Sequence, residues 1–236
     1  MAVIELILDE LPYEINEEMK TLRTNLQFCG DDKQVILMTS SFSGEGKSTI
    51  SLDLCRSLCE LEKRTLLIDA DMRRSVMRKK VNGPVPKKGL SHYLSGQCEL
   101  QDLIYKTSTQ NLSIVFSGTV PPNPTELLSN VRFEELINLG REYFDYVIID
   151  CPPIGMVVDA AVVAQHCDGS IILVESGEIK YRMAQDIVNR MRATGCPILG
   201  VVLNKVDRSR HGKYYGKYYG KYYKKKYYGY YQNNEE

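Results

Sequence analysis

The sequence predicts an α/β fold, a mainly parallel central sheet with helices on both faces, followed by a flexible C-terminal tail. Three observations predict it. Continuous apolar runs rich in Val, Ile and Leu recur along the chain, and such runs are strands buried on both faces. They alternate with longer segments of helical character, the pattern of crossover connections in a parallel sheet. The last twenty-nine residues contain no Leu, Ile, Val, Met or Phe and so cannot build a core.

In chain order, a first helix is expected over 14–28, where Glu17, Lys20 and Arg23 share a face at three-residue spacing. The run Val35-Ile36-Leu37-Met38 makes 34–39 a strand. A glycine-containing turn leads into a helix over 47–60. The strand over 65–68 ends in Asp69-Ala70-Asp71. A basic stretch over 73–80 and a Gly/Pro-rich loop come next, then short helices over 90–94 and 100–105 and a strand over 112–116. Pro121-Pro122-Asn123-Pro124 opens a helix over 125–143. Strands over 146–149, 169–174 and 198–203 alternate with helices over 159–166 and 179–194. The resulting organisation is a domain over 1–207 and a disordered tyrosine-rich tail over 208–236, a size that suits one α/β domain with an appendage.

The zero net charge hides an asymmetry. From Arg208 onward there are eight Lys or Arg against two Glu, so the tail carries +6 and the rest of the chain −6. Seven cysteines without a Cys-x-x-Cys pair fit a reducing compartment with buried thiols. No signal peptide and no span of about eighteen apolar residues is found, so a cytoplasmic protein is expected.

The chemistry concentrates at strand ends. In Ser43-Gly44-Glu45-Gly46-Lys47-Ser48-Thr49, which joins a strand to a helix, glycines turn backbone N–H groups toward phosphate oxygens and the helix N-terminus adds positive potential. Lys47 can reach the outer phosphates and Ser48 is placed to hold Mg²⁺. This is a P-loop, with Ser41 where the first glycine usually stands. Asp69, Asp71 and Asp150 end buried strands and face the same crevice, where carboxylates bind metal or orient a nucleophile. Asp71 and Asp150 are assigned to Mg²⁺ and Asp69 to the proton of the attacking hydroxyl; the roles of Asp69 and Asp71 could be exchanged. Leu203-Asn204-Lys205-Val206-Asp207 matches the guanine-specific Asn-Lys-x-Asp pattern, but its partner motif needs glycine where Pro153 stands. Asn204 contacting adenine is the other reading.

The stretches Gly44–Thr49, Leu66-Leu67-Ile68-Asp69-Ala70-Asp71-Met72-Arg73, Ile148-Ile149-Asp150 and Gly118-Thr119-Val120-Pro121-Pro122-Asn123-Pro124-Thr125, together with the tyrosine cluster, resemble the bacterial tyrosine kinases, in particular the separate kinases of Gram-positive capsule and exopolysaccharide operons. The resemblance covers nearly the whole chain and implies a Min/Par-like P-loop fold and an ATP- and Mg²⁺-dependent protein-tyrosine kinase. It implies autophosphorylation of its own tail between subunits of a ring. It also implies activation by a membrane adaptor of the polysaccharide co-polymerase type, which recruits the kinase to the inner face of the cell membrane, and reversal by a tyrosine phosphatase. Nucleic acid is not an expected partner. The family's oligomerisation motif falls on Glu17, Lys20 and Arg23, with Lys20 replacing an arginine and losing its planar fork.

The acceptors would be Tyr214, Tyr215, Tyr218, Tyr219, Tyr222, Tyr223, Tyr227, Tyr228, Tyr230 and Tyr231, ten of the sixteen tyrosines. Each phosphate adds roughly −1.5 to −2, so about three or four would cancel the tail's charge. A tail of this length spans on the order of 30 Å, enough to visit its own site or a neighbour's. Other readings remain: a low-complexity segment that adheres to polysaccharide, nucleic acid or anionic membrane, a Min/Par-type positioning ATPase, or a nucleotide-gated adaptor of an export complex. Phe42 stands where the Min/Par lysine would be.

Overall fold

The computed structural model describes residues 3–207. The tail and its tyrosines lie outside the described residues. Nine strands and seven α-helices follow one another among those described: β1 (Glu5–Leu6), α1 (Tyr13–Phe28), β2 (Val35–Ser40), α2 (Lys47–Cys59), β3 (Thr65–Asp69), β4 (Val81–Asn82), α3 (Leu90–Leu94), β5 (Tyr105–Lys106), β6 (Leu112–Val115), α4 (Pro124–Leu128), α5 (Val131–Tyr143), β7 (Tyr146–Asp150), α6 (Asp159–Ala164), β8 (Gly169–Glu175), α7 (Tyr181–Arg192) and β9 (Ile198–Asn204).

Seven strands form one sheet in the order β5-β6-β3-β7-β2-β8-β9, parallel except for the edge strand β5. The apolar runs behave as a two-sided sheet requires. Val35 and Leu37 of β2 point into a core with α3 to α7, while Ile36 and Met38 point into a second core with α1 and α2. All six side chains of β2 are buried, which explains why its sequence is continuous instead of alternating.

Two expectations need correction. The helix expected over 125–143 is two helices. Asn130 breaks it, because its side-chain oxygen accepts the Arg132 N–H (3.0 Å) and starts a new helix, while Pro124 opens the first one. The helix expected over 100–105 is one 3₁₀ turn, Leu100–Asp102. Tyr105 then pairs with Ile114 on the sheet edge and stacks obliquely on Phe116 at 6.0 Å. β1, inside the apolar stretch Val3–Leu8, pairs antiparallel with β4, a two-residue strand that no apolar run announces. The seven cysteines are all free, and burial pushes the Cys55, Cys151 and Cys167 thiols well above their ordinary range.

Candidate active site

The parallel register sets the carboxyl ends of β2, β3 and β7 side by side, the place where open α/β sheets bind ligands. Asp69 pairs directly with Asp150 across β3 and β7, and Met38 of β2 pairs with Asp150 on its other side. Two strand-end carboxylates are thus fixed next to the turn that follows β2.

In that turn Gly44 and Gly46 have φ of +92° and +91°, in the left-handed region that glycine adopts without strain. Ser43 and Gly44 face solvent, and Gly46 leads into α2. The Glu45 side chain turns inward. Buried, it accepts the backbone N–H of Ser41 (2.6 Å), Phe42 (2.9 Å) and Glu175 (3.2 Å), so what it offers a phosphate is its backbone N–H. Ser41 is fully buried in the place of the usual glycine, and a Cβ on Gly155 would stand 2.2 Å from its carbonyl oxygen. Asn204 closes the loop from the end of β9, donating its side-chain amide to the Glu45 carbonyl at 2.8 Å. The residue expected at the base therefore braces the phosphate loop through its side-chain amide.

Lys47 opens α2 and is buried. Its Nζ stands 2.6 Å from Asp150 Oδ1, 3.9 Å from Asp71 Oδ2 and 3.3 Å from Ser48 Oγ. Burial disfavours the ammonium charge, but the carboxylates of Asp150, Asp71 and Asp69 together outweigh it and hold Lys47 above the ordinary lysine range. Ser51, one turn along α2, also reaches Asp150 Oδ1 (3.4 Å). Thr49 is exposed beyond this cluster.

Asp69 is fully buried. Its Oδ2 accepts from Ser75 Oγ and from the Ser117 N–H at 3.3 Å. Burial first, and the Asp150 charge second, push its carboxyl up to about 7. Asp71 Oδ1 accepts the Arg74 N–H at 2.9 Å, which turns its other oxygen toward Lys47. Asp69 Oδ1 and Asp150 Oδ2 are buried without a hydrogen-bond partner among the described residues, an arrangement that costs free energy unless something binds there.

No group of three or more His, Cys, Asp or Glu side chains among the described residues is arranged to hold a metal ion unaided. Ser48, Asp71 and Asp150 nonetheless fit Mg²⁺, which takes one or two carboxylates and completes its shell with water and phosphate oxygens. The crevice therefore unites Lys47, Ser48, Asp69, Asp71 and Asp150. It does not include Glu17, Lys20 and Arg23, which lie on α1. There Lys20 pairs with Glu17 (2.8 Å), and Arg23 donates to the Ser57 carbonyl (2.6 Å), fastening α1 to α2. Sequence reasoning missed Ser51, Ser75, Ser117 and Asp159. Each is a common residue with no motif around it, visible only once the strands are in register.

This fold and this loop define a P-loop NTPase of the parallel-sheet kind, with carboxylates at the ends of β3 and β7 standing beside the loop lysine. The family model for an AAA domain matches residues 33–193. The chain is 46% identical over 193 residues to the tyrosine-protein kinase CpsD of Streptococcus agalactiae serotype III, covering 82% of this chain and 83% of that one. To the tyrosine-protein kinase CpsD of Streptococcus pneumoniae it is 41% identical over 218 residues, covering 91% and 96%. A crystal structure of the chimerical protein CapA2B2 superposes with a TM-score of 0.79 at 31% identity, covering 87% of this chain and 94% of that one. The septum site-determining protein MinD of Pyrococcus horikoshii, complexed with Mg-ADP, superposes at 0.62 with 24% identity over 74% and 71%, and shares the fold alone. The chain belongs to the bacterial tyrosine-protein kinases of the CpsD and CapB type, and it is an enzyme of that class.

Proposed function

We propose that this kinase uses Mg²⁺–ATP to phosphorylate the tyrosines of its own C-terminal segment, in trans between subunits, and thereby regulates capsular or exopolysaccharide synthesis and export. The single observation that carries the proposal is the position of β9. It runs parallel to β2 through β8 and ends at Asn204, which holds the phosphate loop. The residue run that leads to ten tyrosines therefore starts at the nucleotide side of the sheet.

Bound Mg²⁺–ATP supplies the phosphoryl group and neutralises the charge spread over the phosphates. The chain's residues bind and orient. Backbone N–H groups of the loop and Lys47 hold the phosphates, while Ser48, Asp71 and Asp150 hold the metal. Asp69, with a carboxyl near 7, takes the phenol proton, since a general base works best near the operating pH. Tyrosine suits such a site because phosphoryl transfer asks for positioning and electrostatics more than covalent chemistry.

The remaining readings follow from kinship and charge. A membrane adaptor would recruit and activate the kinase at the inner face of the cell membrane, the subunits would assemble in a ring through α1, and a phosphatase would reset the tail. The trans assignment is tested by mixing full-length Lys47→Met, whose tail is intact, with wild-type kinase whose tail is deleted after residue 207. Phosphotyrosine on the Lys47→Met tail is the expected result. A tail labelled in the wild-type chain alone but never in the mixture contradicts transfer between subunits.

A further inference from the structure

Arg73, Thr125 and Asp159 meet beside the catalytic crevice although 86 residues separate the first from the last. Asp159, the first residue of α6, has a fully buried carboxylate at 0% exposure. Its Oδ2 accepts Arg73 Nε at 2.7 Å, and its Oδ1 accepts Arg73 Nη2 at 3.0 Å and the Thr125 hydroxyl at 2.5 Å. Arg73 Nη2 also reaches Thr125 Oγ1 at 3.2 Å. Both carboxylate oxygens are thus used, and the guanidinium engages as a two-toothed fork, the strong and directional form of this contact.

The chain position of Arg73 gives the cluster its meaning. Arg73 lies two residues after Asp71, and the next N–H, that of Arg74, is the donor that fixes Asp71 Oδ1. The loop carrying Asp71 is exposed at residues 73 and 74 and has no secondary structure of its own to stiffen it. Anchoring Arg73 to a buried carboxylate at the start of α6, braced by the first turn of α4, ties this loop to two helices packed on the sheet. The Pro-rich stretch that resembles the kinase family thereby acquires a task, because Pro124 and Asn123 set where α4 begins and so where Thr125 stands.

We infer that Arg73, Thr125 and Asp159 form a clamp of positioning residues that fixes the loop of Asp71, and with it the alignment of Asp71 against Lys47 and Asp69, for phosphoryl transfer. The inference rests on the assignment of Asp69 and Asp71 to the reaction. The side-chain hydrogen bonds of the three residues run to one another and not to the phosphate loop, so their loss should affect the chemical step more than nucleotide binding.

The test uses the full chain with saturating Mg²⁺–ATP and a synthetic peptide of residues 208–236 as acceptor. Arg73→Lys and Thr125→Val should each lower kcat roughly 10- to 100-fold, the scale of a displacement of about 1 Å at a reacting group, with ATP affinity and melting midpoint kept. Thr125→Ser, which retains the hydroxyl, should restore the rate. The double variant should lose less than the product of the single losses, because both act through Asp159. Wild-type kcat in Arg73→Lys and Thr125→Val would overturn the clamp. So would a fall in kcat matched by falls in ATP affinity and melting midpoint, which marks a purely structural contact. Lys47→Met is run alongside: activity there would instead overturn the underlying site assignment.

Discussion

At the scale of single residues, the site is a balance of charges that nucleotide can redistribute. Lys47 neutralises Asp150 at 2.6 Å, and Asp69 stands beside that pair with one oxygen unpartnered. On the proposed assignment, removing the Asp69 carboxylate takes away the proton acceptor without touching the phosphate loop. Asp69→Asn is expected to cut kcat by about 10²- to 10⁴-fold, the usual worth of a general base, with ATP affinity unchanged in a nucleotide-binding titration. Asp71→Asn should instead raise the Mg²⁺ concentration needed for half-maximal activity. The opposite pattern would exchange the two roles. Lys47, Asp69, Asp71 and Asp150 were legible in the sequence because a strand followed by an acid or by a glycine turn announces a strand end facing a crevice. The inward turn of Glu45 and the bracing role of Asn204 were not. Both depend on which backbone amides face them, and that is decided by three-dimensional register.

At the scale of elements, two carboxylates act as fasteners. Asp168, just before β8, accepts the backbone N–H of Gln34 (3.0 Å) and Val35 (2.7 Å) and a two-pronged contact from Arg141 of α5 (2.8 and 2.7 Å). Burial alone would raise its carboxyl, but the Arg141 hydrogen bonds and the Val35 amide outweigh it and hold it below the ordinary range. A depressed folded-state value contributes stability that is present above the unfolded value of about 4 and lost as pH falls through the folded one. Asp168→Asn should therefore lower stability at neutral pH by about 1–3 kcal/mol and flatten the acid side of the stability curve, as read by denaturant unfolding between pH 7 and pH 3. An unchanged acid limb would contradict the assignment. Asn204 fastens the other end of the sheet. Asn204→Ala removes one bond of about 1 kcal/mol from the phosphate loop and should weaken ATP binding by about five- to tenfold, with kcat little changed. The main strands and longer helices were legible from their periodicity. The break at Asn130 was not, since the apolar pattern continues through it and only the cap decides where one helix stops.

At the scale of the whole molecule, the described body is a mononucleotide-binding sheet, and the sequence adds a basic segment rich in phenols. No helix among the described residues is long and apolar enough to cross a membrane. The charge separation was legible from a count of residues, and it makes phosphorylation a change of sign: about three or four phosphates cancel the tail's +6. The fate of Glu17, Lys20 and Arg23 was less legible, because the same spacing serves a contact within the chain and one between chains. Arg23 already spends one contact on the Ser57 carbonyl of α2. The most direct measurement of the central claim is phosphosite mapping by mass spectrometry of the purified full chain, incubated with Mg²⁺–ATP and its activating partner, beside Lys47→Met. Phosphotyrosine gathered between Tyr214 and Tyr231 in the wild type and absent from Lys47→Met is the predicted result. Equal labelling of the Lys47→Met tail, or wild-type phosphate placed mainly on tyrosines of the folded body, would contradict it.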